Sequence, residues 1–169
     1  LENKIPLLIN EKHSNYDITF VIPYFNRLAS KHHIDKNETI SLNNLFDIDY
    51  NTQTLLPFID SLRSNYKINL ITDLELESRE HIYNTKLLVF YGEMKYFSRQ
   101  AKSNLDEFIL KGNHCIIYSK YFMNTITTFN ETENSISINT TSNRDYLWHL
   151  SKSPNYKSIG AYYDNISWK

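Results

Sequence analysis

Three side chains that could perform chemistry stand together in one short turn. Glu93, Lys95 and Tyr96 follow Gly92, which ends an apolar run. A carboxylate and an amine can serve as general base and general acid when their surroundings shift their proton affinities. We therefore predict Glu93, Lys95 and Tyr96 as candidate catalytic residues. The alternative is a plain ion pair between Glu93 and Lys95 at the start of a helix.

The same turn lacks a nucleophile. It runs Gly-Glu-Met-Lys-Tyr-Phe-Ser over 92–98, with neither cysteine nor serine at its tip. A Cys-His-Glu or Ser-His-Asp mechanism needs a thiol or a hydroxyl at that point. The single cysteine, Cys115, lies in an apolar run that is typical of a buried strand. We predict that it is a core residue, because reactive thiols need exposure and positive surroundings.

Further polar candidates fall in two other segments. Tyr24, His32 and His33 belong to a polar stretch from 24 to about 52, which we predict to be a long connection. Two histidines and a carboxylate can form a facial metal triad. Adjacent histidines are rarely both ligands of one metal, so a solvated loop is the other interpretation. Lys120 follows a predicted strand and would suit a carboxylate or sugar-acid ligand. These four are candidate ligand-binding residues, and no metal ligand is predicted.

Strand and helix signals alternate along the chain and must position these residues. Gly92 and Gly112, two of only three glycines, are predicted to adopt backbone conformations that other residues avoid. The alternation predicts a mostly parallel sheet with helices on both faces, a flavodoxin-like three-layer sandwich. The predicted strands are 17–22, 67–71, 87–90 and 114–119. The predicted helices begin at Thr54, with Pro57 in the first turn, and at Ser98, with a short helix within 73–84.

The pattern changes after Thr125. Alternating residues at 125–129 and 135–139 predict a hairpin, and the tail from 140 carries both tryptophans. The whole chain, 1–169, is therefore predicted to be a single α/β domain. Its core would cover about 17–125, and a C-terminal β extension of about 126–169 would add an edge to the sheet or cover one side.

Composition favours an ordinary globular domain. Hydrophobic residues make up 41% of the 169 residues and charged residues 22%, with a formal net charge of -1. That balance predicts neither nucleic acid nor a membrane surface as a partner. No apolar run approaches the roughly 18 residues of a membrane span. We expect a cytoplasmic protein, although a chain that begins at Leu1 leaves an upstream targeting signal as an alternative.

The ordered series of motifs resembles the large subunit of N,N-dimethylformamidase and its relatives. The matching pieces are Ile22-Pro23-Tyr24 after the first strand, Tyr-Lys-Ile-Asn-Leu-Ile-Thr-Asp-Leu at 66–74, Tyr-Asn-x-Lys-Leu-Leu-Val at 83–89, Gly92 with Tyr96-Phe97-Ser98, and Phe-Ile-x-x-Gly-Asn at 108–113. The resemblance covers about 17–125. It implies the class I glutamine amidotransferase-like α/β fold of that family's C-terminal domain.

The resemblance also implies which chemistry to look for. In that family, a glutamate in this turn and two tyrosines from the preceding loop hold a mononuclear iron that activates water for amide hydrolysis. Here Lys95 stands at the glutamate position and Glu93 at the histidine position, while the tyrosine positions fall near Ser30 and Phe46. A protonated lysine amine has no lone pair to offer to iron. The sequence therefore keeps the motifs that imply this fold but lacks the residues that would bind iron.

Two functional hypotheses follow. The first is a divergent dimethylformamidase-like domain without the iron site, which acts as a binding or structural domain. The second is an active hydrolase of C–N bonds, with iron only if the site is rebuilt around Glu93, Lys95, Tyr96 and the two histidines. Possible partners are other domains of a longer chain or further copies of this one, which an aromatic tail could contact (Tyr146, Trp148, Tyr162, Tyr163, Trp168).

Overall fold

The computed structural model describes residues 15–31, 39–41, 50–119, 121–130, 132, 133 and 135–138. In chain order, its elements are β1 (Tyr16–Ile22), α1 (Tyr24–Lys31), β2 (Thr39–Ser41), α2 (Tyr50–Leu62), β3 (Ile68–Thr72), a 3-10 helix (Asp73–Glu77), α3 (Arg79–Ile82), β4 (Thr85–Tyr91), β5 (Met94–Ser98), α4 (Arg99–Leu110), β6 (His114–Tyr118), β7 (Phe122–Asn130) and β8 (Ser135–Ile138).

The first sheet contains the four strands predicted from the sequence. Its order is β3-β1-β4-β6, and every neighbouring pair is parallel. Counted within this sheet, the second strand lies beside the first, and the third and fourth follow on the other side. In doubly wound sheets with this order, the chain first adds strands on one side of the first strand and then on the other. The strand order therefore reverses between the first and third strands, here β1 and β4.

Helices cover both faces of this sheet. On one side, which we call the α2 side, Leu55 and Ile59 of α2 pack with the side chains of β1 and β3. On the other, the α4 side, Leu105 and Phe108 of α4 pack with Phe90 and neighbouring strand residues. Successive apolar residues of each strand point alternately to the α2 side and to the α4 side, so both faces of the sheet are packed, as expected of a buried parallel sheet. The predicted α/β sandwich is confirmed at this level.

A second sheet, which the sequence did not predict, has the order β2-β8-β7-β5. The hairpin of β7 and β8 is antiparallel, as predicted, and β2 pairs antiparallel with β8. β5 pairs parallel with β7. Ile136 and Ile138 of β8 pack with Phe25 and Ala29 of α1. β7 and β8 therefore belong to the second sheet and are not added as edge strands to the first one.

The two sheets are joined at a corner. The parallel pair β4–β6 passes into the parallel pair β5–β7, across residues 92–93 on one strand and between Tyr118 and Phe122 on the other. The backbone ladder runs through the corner, because the Gly92 N–H donates to the Tyr118 carbonyl at 3.0 Å and the Met94 N–H donates to the Tyr121 carbonyl at 3.0 Å. Four strands thus form one bent ribbon.

This corner corrects the predicted strand-turn-helix geometry at 92–98. Gly92 does take a left-handed conformation, with φ of +100°. The chain then enters β5, and α4 starts only at Arg99. The Ser98 hydroxyl caps α4 by accepting from the Ala101 N–H at 2.9 Å, as predicted. The turn carrying Glu93 is therefore a sheet corner and not an elbow that leads directly into a helix.

Two further expectations about helices were wrong. The segment after Pro23, expected to be a long connection, begins with α1 at Tyr24. The helix expected to start after Thr54 begins at Tyr50, so Pro57 lies inside it. Pro57 lacks the N–H that would bond one turn back, and the burial of Leu55 and Ile59 against the first sheet offsets that loss.

The predicted burial of the fourth strand is also corrected. β6 is the edge strand of the first sheet among the described strands, and Ile116 is 54% exposed. Among the described residues, α2 packs over β1 and β3 and not over β6. Cys115, on the α4 side, is half-buried, and burial raises the pKa of its thiol to about 12. The thiol is therefore protonated at neutral pH, as expected of a packing residue.

The corner glycine allows a first prediction. A Cβ added to Gly92 would lie 3.2 Å from Cγ of Pro23, and the φ of +100° is itself unfavourable for alanine. Gly92→Ala should lower the free energy of unfolding by about 2–3 kcal/mol. Urea denaturation of the purified variant measures this value.

Gly112→Ala is the matched control. Gly112 has φ of +83° and nothing within 4 Å of an added Cβ. Its substitution carries the backbone cost alone, about 1 kcal/mol. If Gly112→Ala were as costly as Gly92→Ala, the close approach of Pro23 at the corner would have no energetic weight.

Candidate functional site

The carboxyl ends of the parallel strands meet at one edge of the first sheet. In doubly wound sheets, ligands bind at this edge, where the strand order reverses. Here that point lies between β1, which leads into Pro23, and β4, which leads into Gly92. The Arg27 guanidinium reaches the same place, 3.9 Å from where a Cβ of Gly92 would stand. The carboxyl ends of β1 and β4, the start of α1 and the corner before β5 therefore surround the candidate site.

Asp73, directly after β3, is the buried carboxylate of this edge. Its Oδ1 accepts from the Phe25 N–H at 2.9 Å, and its Oδ2 accepts from the Asn26 N–H at 2.9 Å. These N–H groups belong to the first turn of α1, where no intrahelical partner exists. Pro23, the residue before the helix, has no capping side chain. Asp73 therefore caps α1 from another part of the chain.

Asn26 connects this cap to the second sheet. Its Nδ2 donates to Asp73 Oδ2 at 2.7 Å and to the Tyr96 carbonyl at 3.1 Å, and its Oδ1 accepts from the Tyr96 N–H at 2.6 Å. All three residues are buried. Both polar atoms of the Asn26 side chain are thus used to join α1 to β5 and to the 3-10 helix that follows β3.

The electrostatics of the edge follow from this burial. Burial raises the pKa of the Asp73 carboxyl, while the hydrogen bonds from Asn26 and the backbone of Phe25 act in the opposite direction. Burial, and then the charge of Asp73, raises the pKa of the Tyr24 hydroxyl. Tyr24 is therefore a neutral phenol at neutral pH and can donate or accept a hydrogen bond.

The predicted catalytic residues are neighbours in sequence but have different surroundings. Glu93 is exposed in the corner turn, whereas Tyr96 is buried, with its ring edge-to-face on Phe25 at 5.9 Å. Lys95 is half-buried, and its Nζ lies 3.3 Å from the Tyr96 hydroxyl and 4.9 Å from the centre of that ring. The structure records no ion pair between the described residues Glu93 and Lys95, so the alternative of a plain ion pair is not seen.

The remaining predicted residues are placed only in part. Tyr24 lies at the start of α1, partly buried beside the Asp73 cap. His32, His33 and Lys120 lie outside the described residues. Among the residues that the structure describes, no group of three or more histidine, cysteine, aspartate or glutamate side chains could hold a metal ion. None of the described helices is long and apolar enough to cross a bilayer.

Sequence reasoning missed the two residues that organise this edge, Asp73 and Asn26. The signal for Asp73 was available, because a carboxylate directly after a predicted parallel strand must lie at the carboxyl edge of the sheet. No local signal marked Asn26, which lies in a stretch predicted to be a loop. Comparison with protein-family models and with curated proteins found no match to this chain.

Proposed function

We propose that this chain is a divergent dimethylformamidase-like domain, with a glutamine amidotransferase-like fold, that lacks the family's iron site and acts as a binding or structural domain. The single observation that carries the proposal is the environment of Lys95. A cation stands at the position where the resemblance places an anionic iron ligand, and it contacts the ring and hydroxyl of buried Tyr96.

The donor groups that the structure describes at the carboxyl edge favour a site without iron. Iron in such sites needs carboxylate, phenolate or imidazole ligands with free lone pairs. Asp73 is the buried carboxylate at this edge, and both of its oxygens accept hydrogen bonds from α1. Glu93 is exposed at the corner and was matched to a different position of the family motif.

The charge at the edge supports binding of an anion. Arg27 is half-buried near Gly92, Lys95 is half-buried three residues farther along the chain, and Tyr24 adds a neutral hydroxyl. Two cations and a hydrogen-bonding phenol suit a small carboxylate better than they suit a metal ion. The ligand class that we propose is accordingly a small carboxylic acid, held at the edge between β1 and β4.

The testing experiment measures metal content and binding on the same sample. Protein purified without chelators should contain far less than one iron per chain and show no tyrosinate absorption band in the visible range. A panel of small carboxylates, followed by amide NMR shifts, should perturb the backbone around Gly92 and Lys95. Lys95→Ala should weaken that binding about tenfold while leaving the melting curve close to wild type.

Two outcomes would overturn this proposal. Stoichiometric iron with a tyrosinate band would favour the alternative, an active hydrolase of C–N bonds with a rebuilt site. That result should then be accompanied by turnover of a small amide. Carboxylate binding that is unchanged in Lys95→Ala would remove the lysine from the proposed site.

A further inference from the structure

The parallel pairing of β5 with β7 is irregular at one point, directly opposite Lys95. The pairs on either side of this point are Met94 with Phe122 and Tyr96 with Thr125. Lys95 alone therefore stands opposite two residues of β7, Met123 and Asn124. This arrangement is a β-bulge, which is rare in parallel pairs. Bulges are over-represented beside active sites, where they redirect a side chain.

Met123 gives the bulge its backbone shape. Its φ is +54°, and it is the one non-glycine residue with a positive φ in the part of the chain that the structure describes. Left-handed backbone is unfavourable for a residue that carries a Cβ, and it persists only where the surroundings impose it. The Met123 side chain is fully buried in the core cluster that also contains Met94 and Phe97. The side chain is thus anchored in the core while the backbone is strained.

The side-chain directions of β5 change at the bulge. In a regular strand, residues two apart share a face and residues three apart do not. Met94 and Phe97 are three apart, yet both belong to the core cluster on the α4 side. Tyr96 instead packs with Phe25 in a separate cluster. The alternation is therefore broken between Met94 and Tyr96, which is where Lys95 stands opposite the bulge.

This break accounts for the contact between Lys95 and Tyr96. Successive residues of a regular strand point to opposite faces. Here the Lys95 Nζ lies 3.3 Å from the Tyr96 hydroxyl and 4.9 Å from the centre of the same ring. We infer that the bulge at Met123 directs Lys95 onto Tyr96, which makes Met123 a positioning residue of the carboxylate site. The inference rests on the proposed function for its ligand, whereas the contact itself can be measured without one.

The expected benefit of this positioning is a smaller entropy loss when a ligand binds. A lysine side chain that moves freely in solvent loses rotamer freedom when it binds an anion, and a lysine already held against a ring loses less. The bulge should therefore raise carboxylate affinity without touching the carboxylate. The competing role is purely structural, with the bulge serving only to bend the ribbon at the corner. In that case Lys95 would not respond to changes at Met123.

Three substitutions at Met123 separate these two roles. Met123→Ile keeps the apolar volume, but its β-branched side chain opposes a left-handed backbone and should force the bulge to rearrange. Met123→Leu is the matched control, because it has a similar volume and no branch at Cβ. Met123→Gly accepts the left-handed backbone readily but loses the buried side chain.

NMR of the full chain measures both the contact and the affinity. The ε-methylene protons of Lys95 should show the ring-current shift of Tyr96 in the wild type, Met123→Leu and Met123→Gly, and should lose it in Met123→Ile. Acetate affinity should fall about tenfold in Met123→Ile, the loss expected for Lys95→Ala, and change less than about twofold in the other two variants. Thermal unfolding should give the opposite order, with Met123→Gly the least stable.

A double-variant cycle completes the test. Adding Met123→Ile to Lys95→Ala should cause no further loss of acetate affinity, because both substitutions act through the same amine. Additive losses, a ring-current shift that survives in Met123→Ile, or one that disappears in Met123→Gly would each overturn the inference. If the wild type binds no carboxylate while the ring-current shifts follow the expected pattern, the proposed ligand is wrong and the positioning of Lys95 by Met123 stands.

Discussion

Asn26→Asp should be among the most destabilising single substitutions in this chain. The Asn26 Nδ2 lies 2.7 Å from Asp73 Oδ2 and also donates to the Tyr96 carbonyl. A carboxylate would replace this donor with a second buried anion. Loss of a buried partner group of this kind costs about 3–5 kcal/mol, a large share of a total stability of about 5–15 kcal/mol. Chemical denaturation, or soluble yield if the variant is too unstable, measures the loss.

The pH dependence identifies the cause. Two carboxyl groups in contact hold a proton more tightly when folded than when unfolded. The variant therefore loses stability as the pH rises through the folded-state pKa of this carboxyl pair. The difference in free energy of unfolding between the variant and the wild type should widen between about pH 4 and about pH 7. Burial also raises the pKa of Asp73 in the wild type above its ordinary value of 3.8. The wild type should accordingly show the same trend with a smaller amplitude.

A charge swap is the matched control. Combining Asn26→Asp with Asp73→Asn restores one carboxylate and one amide at the same two positions. The pair should recover part of the loss, because the donor to the Tyr96 carbonyl is still missing. A double variant as unstable as the sum of the two single variants would mean that the residues do not interact, against the geometry of this edge.

Phe90→Ala should have an effect of similar size for a different reason. Phe90 is fully buried at the end of β4, with its ring edge-to-face on Phe122 at 5.2 Å and tilted against Phe97 at 6.3 Å. These partners belong to the second sheet, so the ring fills the corner where the two sheets meet. Removing a buried phenylalanine leaves a cavity that costs about 3–5 kcal/mol.

Phe58→Ala provides the comparison. Phe58 is 54% exposed on α2 and contacts Phe20 edge-to-face at 6.4 Å. Its truncation should cost no more than about 1 kcal/mol, since most of the ring already faces solvent. Equal losses for the two variants in thermal or urea unfolding would contradict the claim that Phe90 holds the corner together.

The first sheet could be predicted because its information is local. Residues such as Leu87 to Phe90 form continuous apolar runs, and the helices between them have clear stripes, caps and glycine ends. The second sheet depends on distant information. β5 follows β4 after only two residues, and its pairing partner β7 begins 24 positions later than the last residue of β5. A glycine and a nearby helix cap favoured a simple turn, and nothing local indicated a corner.

The site was predicted less well for the same reason. Local sequence drew attention to Glu93, Lys95 and Tyr96, of which Lys95 and Tyr96 contact each other. The organising residues, Asp73 and Asn26, are 47 positions apart and bond through side chains. α1 was missed because the carboxylate that caps it lies 48 residues beyond the amide that it binds. Hydrogen bonds between residues so far apart in the chain produce no periodic pattern from which a sequence could predict them.

The distant cap of α1 has a consequence for the order of folding during synthesis. α1 is 8 residues long, too short to be stable alone, and its capping carboxylate is translated long after it. Its second anchor, the backbone of Tyr96, emerges later still. On the ribosome, this early segment must therefore remain unstructured until β3 and β5 have been made. α1 is synthesised before the other helices that the structure describes and is among the last of these elements to fold.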